Sequence, residues 1–283
     1  MKLAVISDVH GNYKALEAFI AYIEKEKPDG IIGLGDYVTD SPYPQRTLKM
    51  LYMLMRKYPF YMVRGNREEY LIQNYHEPQG WKPSSANGAL YYTAMNITPQ
   101  DIDFFENLKI SEKIEIEDYP VLTICHGTPD DSRGNFLTDE SLRDKTMEKL
   151  DTEYLLGGHS HNQEVYEYCG KVYLNPGSLG VAIDGIGRRA QFAMLCGVEK
   201  EEKKVWEPKL LSIDYDVDGF LADYAGSGLD GYGMVLTRAL KKTLLTGINY
   251  FYLAVVEAWK ISGKPVAETP EEVWNQVAEK LEV

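Results

Sequence analysis

Apolar positions in this chain fall into short unbroken runs that stop at chemically distinctive residues. Leu3 to Ser7 is one such run, ended by Asp8, as expected of a strand buried on both faces. Asn12 is placed to cap a helix over roughly 13–26, where Ala15, Phe19, Ile20 and Ile23 form a stripe before Pro28 stops it. Gly30 to Leu34 reads as a second buried strand ended by Gly35-Asp36. An amphipathic helix follows Pro44, and Phe60 to Val63 reads as a third strand ended by Arg64-Gly65-Asn66. Three successive strand–helix units predict a largely parallel sheet with helices on its faces.

Residues 77–88 read as a loop, and helical patterns run roughly over 86–95 and 99–107. Val121 to Cys125 predicts a strand ended by His126, residues 128–137 a polar loop, and Tyr154 to Leu156 a strand ended by Gly157-Gly158-His159. From 163 to 215, short alternating runs with tight turns predict antiparallel strands that form or complete a second sheet. After Asp216 the pattern turns helical over 238–245 and 271–281. Ile248, Phe251, Tyr252, Val255, Val256 and Trp259 also recur at three- and four-residue intervals. That stripe reads as an ordinary core face, with a homo-oligomer contact through the C-terminal helices as the alternative.

The residues that end the strands carry the chemistry. Asp8-Val9-His10, Gly35-Asp36, Gly65-Asn66, Cys125-His126-Gly127 and Gly158-His159-Ser160-His161 supply two carboxylates, one side-chain amide and four of the five histidines in the chain. In a strand, residues i and i+2 point the same way, so Asp8 and His10 are expected to converge on one ion. His159 and His161 share that spacing, and each is free to serve a different ion. A carboxylate such as Asp36 can bridge two ions through its two oxygens. Any one of these segments is an ordinary turn signal. Their joint occurrence at the carboxyl ends of strands, where open α/β sheets place their sites, points to a two-metal centre. Asp, His and Asn donors without thiolate pairs suit Mn, Fe, Co or Zn, with Mn favoured, and argue against structural zinc.

Charge and size narrow the substrate. With 30 Lys and Arg against 43 Asp and Glu, the formal net charge is -13. This disfavours a long nucleic acid held along a basic groove but leaves a small phosphorylated molecule open. Cys125, Cys169 and Cys196 are odd in number, widely spaced and free of CxxC pairing, and read as reduced, buried thiols. The first apolar run is too short for a signal peptide. The longest uncharged stretch, Thr243 to Val256, is shorter than the roughly 18–20 residues that span a bilayer. No membrane association and a cytoplasmic location are therefore expected.

The segments SDVHGN (7–12), GLGDYV (33–38), VRGNRE (63–68), CHGTP (125–129), GGHSH (157–161) and NPGS (175–178) occur in this order. Through them the chain resembles the calcineurin-like metallophosphoesterase superfamily. It is most similar to the small bacterial branch of phosphodiesterases and dinucleoside-polyphosphatase-like proteins. The resemblance covers roughly residues 1–200 and implies an α/β fold, a four-layered α/β/β/α sandwich. With the helical pattern after Asp216, the expected domains are a catalytic domain over 1–215 and a C-terminal helical appendage over 216–283. The family pattern also bears on the ligands. It assigns Asp8, His10, Asp36 and His161 to one divalent ion and Asp36, Asn66, His126 and His159 to the other. It also implies hydrolysis of a phosphodiester or phosphoanhydride by a hydroxide bridging the two ions. The alternatives are a phosphomonoesterase or protein phosphatase, and a catalytically silent scaffold.

One position departs from the family. A histidine usually follows the Asn of the third motif, where it can protonate the leaving oxygen; here it is Arg67. Arginine stays protonated, so it can neutralise charge but is a very poor proton donor. Asn66, Arg67 and Asp36 are the expected catalytic residues, and Asn12, Arg67 and Arg133 the expected substrate contacts. Tyr70 and His76 are alternative acids, although His76 reads better as a surface histidine.

Overall fold

A computed structural model describes residues 1–283 and contains two five-stranded sheets. In the first, β1 (Lys2–Ile6), β2 (Gly30–Gly33) and β3 (Phe60–Met62) run parallel. The long hairpin of β9 (Arg189–Lys200) and β10 (Lys203–Asp214) adds antiparallel to β1, giving the order β10-β9-β1-β2-β3. The second sheet has the order β4-β5-β6-β8-β7. Its strands are β4 (Ser111–Ile114), β5 (Leu122–Cys125), β6 (Tyr154–Leu156), β7 (Gln163–Tyr168) and β8 (Lys171–Pro176). The three central strands are parallel, and the two edge strands are antiparallel to their neighbours.

Alternation along the strands creates the layers. Leu3 and Val5 of β1 join Ile32, Leu34 and Val63 in packing against Leu122, Ile124, Tyr154 and Leu156 of the other sheet. Ala4 and Ile6 face the opposite way, onto Leu16, Phe19 and Ile23 of α1 (Tyr13–Glu26) and Leu48, Leu51 and Leu54 of α2 (Pro44–Lys57). Behind the second sheet, Leu155 and Tyr173 pack on Met147 of α6 (Glu140–Lys149) and on Phe136. The result is the expected α/β/β/α sandwich. The remaining helices of this body are α3 (Asn66–His76), α4 (Gly88–Met95) and α5 (Pro99–Asn107).

The chain ends in α7 (Val217–Ser227), α8 (Leu229–Thr246), α9 (Tyr250–Ser262) and α10 (Glu271–Leu281). Phe220, Tyr224, Leu240 and Leu244 pack on Tyr13, Tyr92 and Val181 of the body. A separate cluster built around Val235, Ala254, Ala258 and Trp274 ties α8, α9 and α10 together. No helix is long and apolar enough to cross a membrane.

Three expectations are corrected. The hairpin of residues 189–214 extends the first sheet, because β1 has a free edge that accepts β9; only β7 and β8 join the second sheet. The Ile248–Trp259 stripe is not a core face: Ile248, Tyr252 and Trp259 are exposed, and α9 buries Ala254 and Ala258 instead. Of the thiols, only Cys125 is fully buried; Cys169 is exposed in the turn between β7 and β8.

Candidate metal centre

Every candidate ligand lies just beyond the carboxyl end of a strand, and two groups form. The ligand atoms of Asp8, His10 and His161 lie within 4.8 Å of one another, as do those of Asp36, His126 and His159. Asn66 joins the second group, its Oδ1 3.2 Å from His126 Nε2. Asp36 Oδ2 stands between the groups, 3.3 Å from His126 Nε2 and 3.8 Å from His10 Nε2.

Strand alternation does not bring Asp8 to His10, since β1 ends at Ile6. The backbone does it through a left-handed conformation: φ is 53° at Asp8, 45° at His10, 55° at Asp36, 64° at His159 and 57° at His161. Asp and His tolerate this region better than most residues, and such conformations persist only where the surroundings over-determine them. Here hydrogen bonds do so. Asp8 Oδ2 accepts from the Ser7 hydroxyl at 2.6 Å and the His159 N–H at 3.0 Å, while Ser178 Oγ donates to the Asp8 carbonyl at 2.7 Å. Asn175 Nδ2 donates to the Gly158 carbonyl at 2.8 Å, so the NPGS segment supports the centre from behind.

Three histidines are fixed through Nδ1 and direct Nε2 inward. His126 Nδ1 donates to the Leu34 carbonyl at 2.6 Å, His161 Nδ1 donates to the Val181 carbonyl at 2.9 Å, and His10 Nδ1 faces Asp40 Oδ2 at 3.1 Å. This is how metal-ligating imidazoles are commonly oriented. What Nε2 meets is unusual for a protein interior. His10 Nε2 and His161 Nε2 face each other at 3.1 Å. Asp8 Oδ1 is buried without a hydrogen bond, although His161, His10 and His126 Nε2 lie 3.2, 3.8 and 3.9 Å away. Nitrogens facing one another around an orphaned carboxylate oxygen fit shared cations better than they fit hydrogen bonding. The donor set therefore fits two divalent ions.

The electrostatics agree. Burial alone would raise the Asp8 carboxyl, but the charges of His161 and His126 hold it well below the usual range. Asp36 is also held low, burial being outweighed by His126 and His10. Burial works to lower His10 and His126, yet Asp40 and Asp8 lift the first to about 9, and Asp36 and Asp8 lift the second to about 10. His159 goes the other way, to about 4, through burial and the His126 charge.

Two residues that the sequence reading missed organise this arrangement. Asp40 shares Oδ2 between His10 and the Arg67 guanidinium, the latter at 3.3 Å. Glu68, fully buried, accepts the backbone N–H groups of Asp36, Tyr37 and Gly65, each at 2.8 Å. Glu68 stands at the third position of α3, where a glutamate commonly reaches back to the preceding N–H, which is the signal that could have revealed it. The Arg67 N–H, at the start of the same helix, donates to Asp36 Oδ1 at 2.8 Å.

Residues 1–163 match the calcineurin-like phosphoesterase family. The chain belongs to that family. Among solved structures, this family member is similar in fold to a metallophosphoesterase from Sphaerobacter thermophilus, with a TM-score of 0.66 and 23% identity over 88% of this chain and 100% of that one. It is also similar to a hypothetical protein from Pyrococcus horikoshii, with a TM-score of 0.71 and 19% identity over 87% of this chain and 98% of that one. No curated protein matches it.

The ligand groups open into a cavity of about 360 Å³ lined by His10, Asp36, Asn66, Arg67, His159 and His161 among others. Asn12 and Arg133 do not line it. Asn12 is fully buried and committed: Oδ1 caps α1 at the Ala15 N–H, and Nδ2 donates to the Gly180 carbonyl and the Tyr215 hydroxyl. Arg133 is paired with Glu69 at 3.0 Å and lies over the Tyr70 ring. Neither residue is therefore placed as a substrate contact: the Asn12 side chain is fully engaged, and Arg133 stays half-exposed beside Glu69, outside the cavity lining. His76 sits on the surface beside Glu106, away from the cavity, as its sequence context suggests.

Proposed function

We propose that this phosphoesterase is an active hydrolase of a small phosphorylated molecule, cleaving a phosphodiester or phosphoanhydride bond. The observation that carries this reading is the inward convergence of His10, His126 and His161 Nε2 on Asp8 Oδ1 and Asp36 Oδ2. Two divalent ions held there, Mn in our reading, would supply a nucleophile from water and Lewis-acid polarisation of the phosphoryl oxygens. Asp8, His10 and His161 would hold one ion, His126, His159 and Asn66 the other, with Asp36 shared. Asp40 keeps the His10 ring turned toward its ion and holds the Arg67 guanidinium at the cavity wall. From there Arg67 offers charge to phosphoryl oxygens but no proton, which favours leaving groups that depart without general-acid help.

The cavity volume suits a small molecule better than a folded phosphoprotein. Cys125, Cys169 and Cys196, all unpaired, suit a reducing compartment, the cytoplasm in our reading. The test is metal add-back to stripped protein, using bis-p-nitrophenyl phosphate, p-nitrophenyl phosphate and a dinucleoside polyphosphate. Turnover restored by Mn or Co and abolished by Asp36→Ala is expected. Tight metal binding with no turnover on any substrate would instead favour a silent scaffold.

A further inference from the structure

Beyond the ligand groups, the cavity is walled by apolar side chains from two helices far along the chain. Leu240 of α8 and Phe251, Tyr252 and Val255 of α9 line it, together with Leu137 and Val181. The helix α9 is inverted relative to an ordinary surface helix. It buries the small residues Ala254 and Ala258 against its neighbours and presents large ones to the cavity and to solvent. Phe251 packs on two core clusters and is half-buried, while Tyr252 is exposed; the aromatic surface that these two leave uncovered is available for a ligand.

The polar side of the cavity is short of positive charge. Arg67 is the single lysine or arginine among its lining residues, and Asp40 already pairs with it at 3.3 Å. The guanidinium carbon lies 5.9 Å from the Phe251 ring centroid, so the apolar wall begins directly beside the metal-ligand groups. Beyond the two ions and Arg67, a chain of several phosphates would find no further positive side chain along the lining. An apolar group attached to one metal-bound phosphoryl group would meet matching surface. The volume of about 360 Å³ lies near the lower end of small-molecule sites, roughly 300–1,000 Å³.

We propose that the α8–α9 wall is a subsite for an apolar or aromatic organic group carried on an ester oxygen of the phosphoryl group. The substrate is then a small ester with a single phosphoryl group rather than a polyphosphate. This rests on the phosphoesterase reading of the metal centre and adds to it the class of the organic group.

The test is calorimetric binding to the Mn-loaded full chain of methylphosphonate, butylphosphonate, phenylphosphonate and 3-phosphonopropionate. Each presents one phosphoryl head and one organic tail, so the tail alone varies. Butyl and phenyl tails are expected to bind about tenfold or more tighter than methyl, because their extra apolar surface leaves water. The carboxylate tail of 3-phosphonopropionate is expected to bind more weakly than the butyl tail of similar length. Phe251→Ala is expected to narrow the phenyl-over-methyl ratio to about threefold or less, while the wild-type series stands without any variant. Equal affinity for methyl, butyl and phenyl, or tighter binding of the carboxylate tail, overturns the subsite and leaves the phosphoesterase reading intact. Failure of all four to bind with Mn, Co or Zn overturns the phosphoesterase reading, and the subsite with it.

Discussion

Glu68→Ala removes the carboxylate that joins the Asp36 loop to the start of α3. In the folded protein that group takes three backbone N–H groups, from Asp36, Tyr37 and Gly65, each at 2.8 Å and each away from water. A buried donor left without a partner costs about 1–3 kcal/mol. Three of them, partly relieved by relaxation and entering water, set the expected loss at about 3–5 kcal/mol, a large share of the roughly 5–15 kcal/mol that a domain possesses. Glu68→Gln grades the effect. Oε2 serves Asp36 and Gly65 while Oε1 serves Tyr37, so a glutamine carbonyl at the first position keeps two donors satisfied and sets its amide against the third. It should cost about 1.5–3 kcal/mol. Glu69→Ala, next along the chain, loses contacts with the half-exposed Arg133 and with Arg64 and the hydrogen bond from the buried Ser132 hydroxyl, and is expected to cost about 1–2 kcal/mol. Urea unfolding of metal-free protein measures all three. The reasoning is refuted if Glu68→Ala unfolds within 1 kcal/mol of wild type, or if Gln is as damaging as Ala.

Three further outcomes are expected. At pH 7 the metal-free protein holds protons on His10 (about 9) and His126 (about 10). Metal ligation needs both imidazoles neutral, so loading should release close to two protons and tighten as pH rises from 7 to 9; calorimetry in buffers of different ionisation enthalpy counts them, and a count near zero contradicts the assignment. Asp40→Asn keeps the shape but loses the charge shared by His10 and Arg67. Metal affinity should fall about 10–100-fold, and titration showing less than a threefold change would remove Asp40 from the centre. Gly35→Ala places a Cβ 2.5 Å from the Gly65 nitrogen at a φ of +92°, and should cost more than about 2 kcal/mol in urea unfolding, through strain and displacement of the Asn66 loop.

Much of the framework was legible because it is local in the chain. Runs such as Leu3–Ile6 and Leu122–Cys125 are buried on both faces, so they read as strands whatever they pair with. The ligands, by terminating those runs, announced both their own place and the end of the sheet that gathers them. The illegible parts depend on partners distant in sequence. The edge of β1 that receives β9 leaves no mark on residues 189–214 themselves, and Ser111–Ile114 is too short and polar to announce β4. A stripe such as Ile248–Trp259 reports periodicity but not which face has a partner. Alanines on α9 proved to be the packing residues. Asp40 and Glu68 escaped for a related reason: their role is to hold other groups, visible only when His10, Arg67 and three N–H donors are placed around them.

The cavity draws its candidate metal ligands from residues between Asp8 and His161 and most of its apolar wall from residues between Leu240 and Val255, with Leu137, Val181 and Ile183 completing it. On the subsite reading proposed above, reaction and clientele are written in largely separate stretches of chain. Drift in α8 and α9 can retarget such a protein while its Asp, His and Asn signature stays untouched. Two relatives with identical signatures therefore need share no substrate, and a screen for this chain's substrate is better guided by what borders Phe251 than by what borders Asp36.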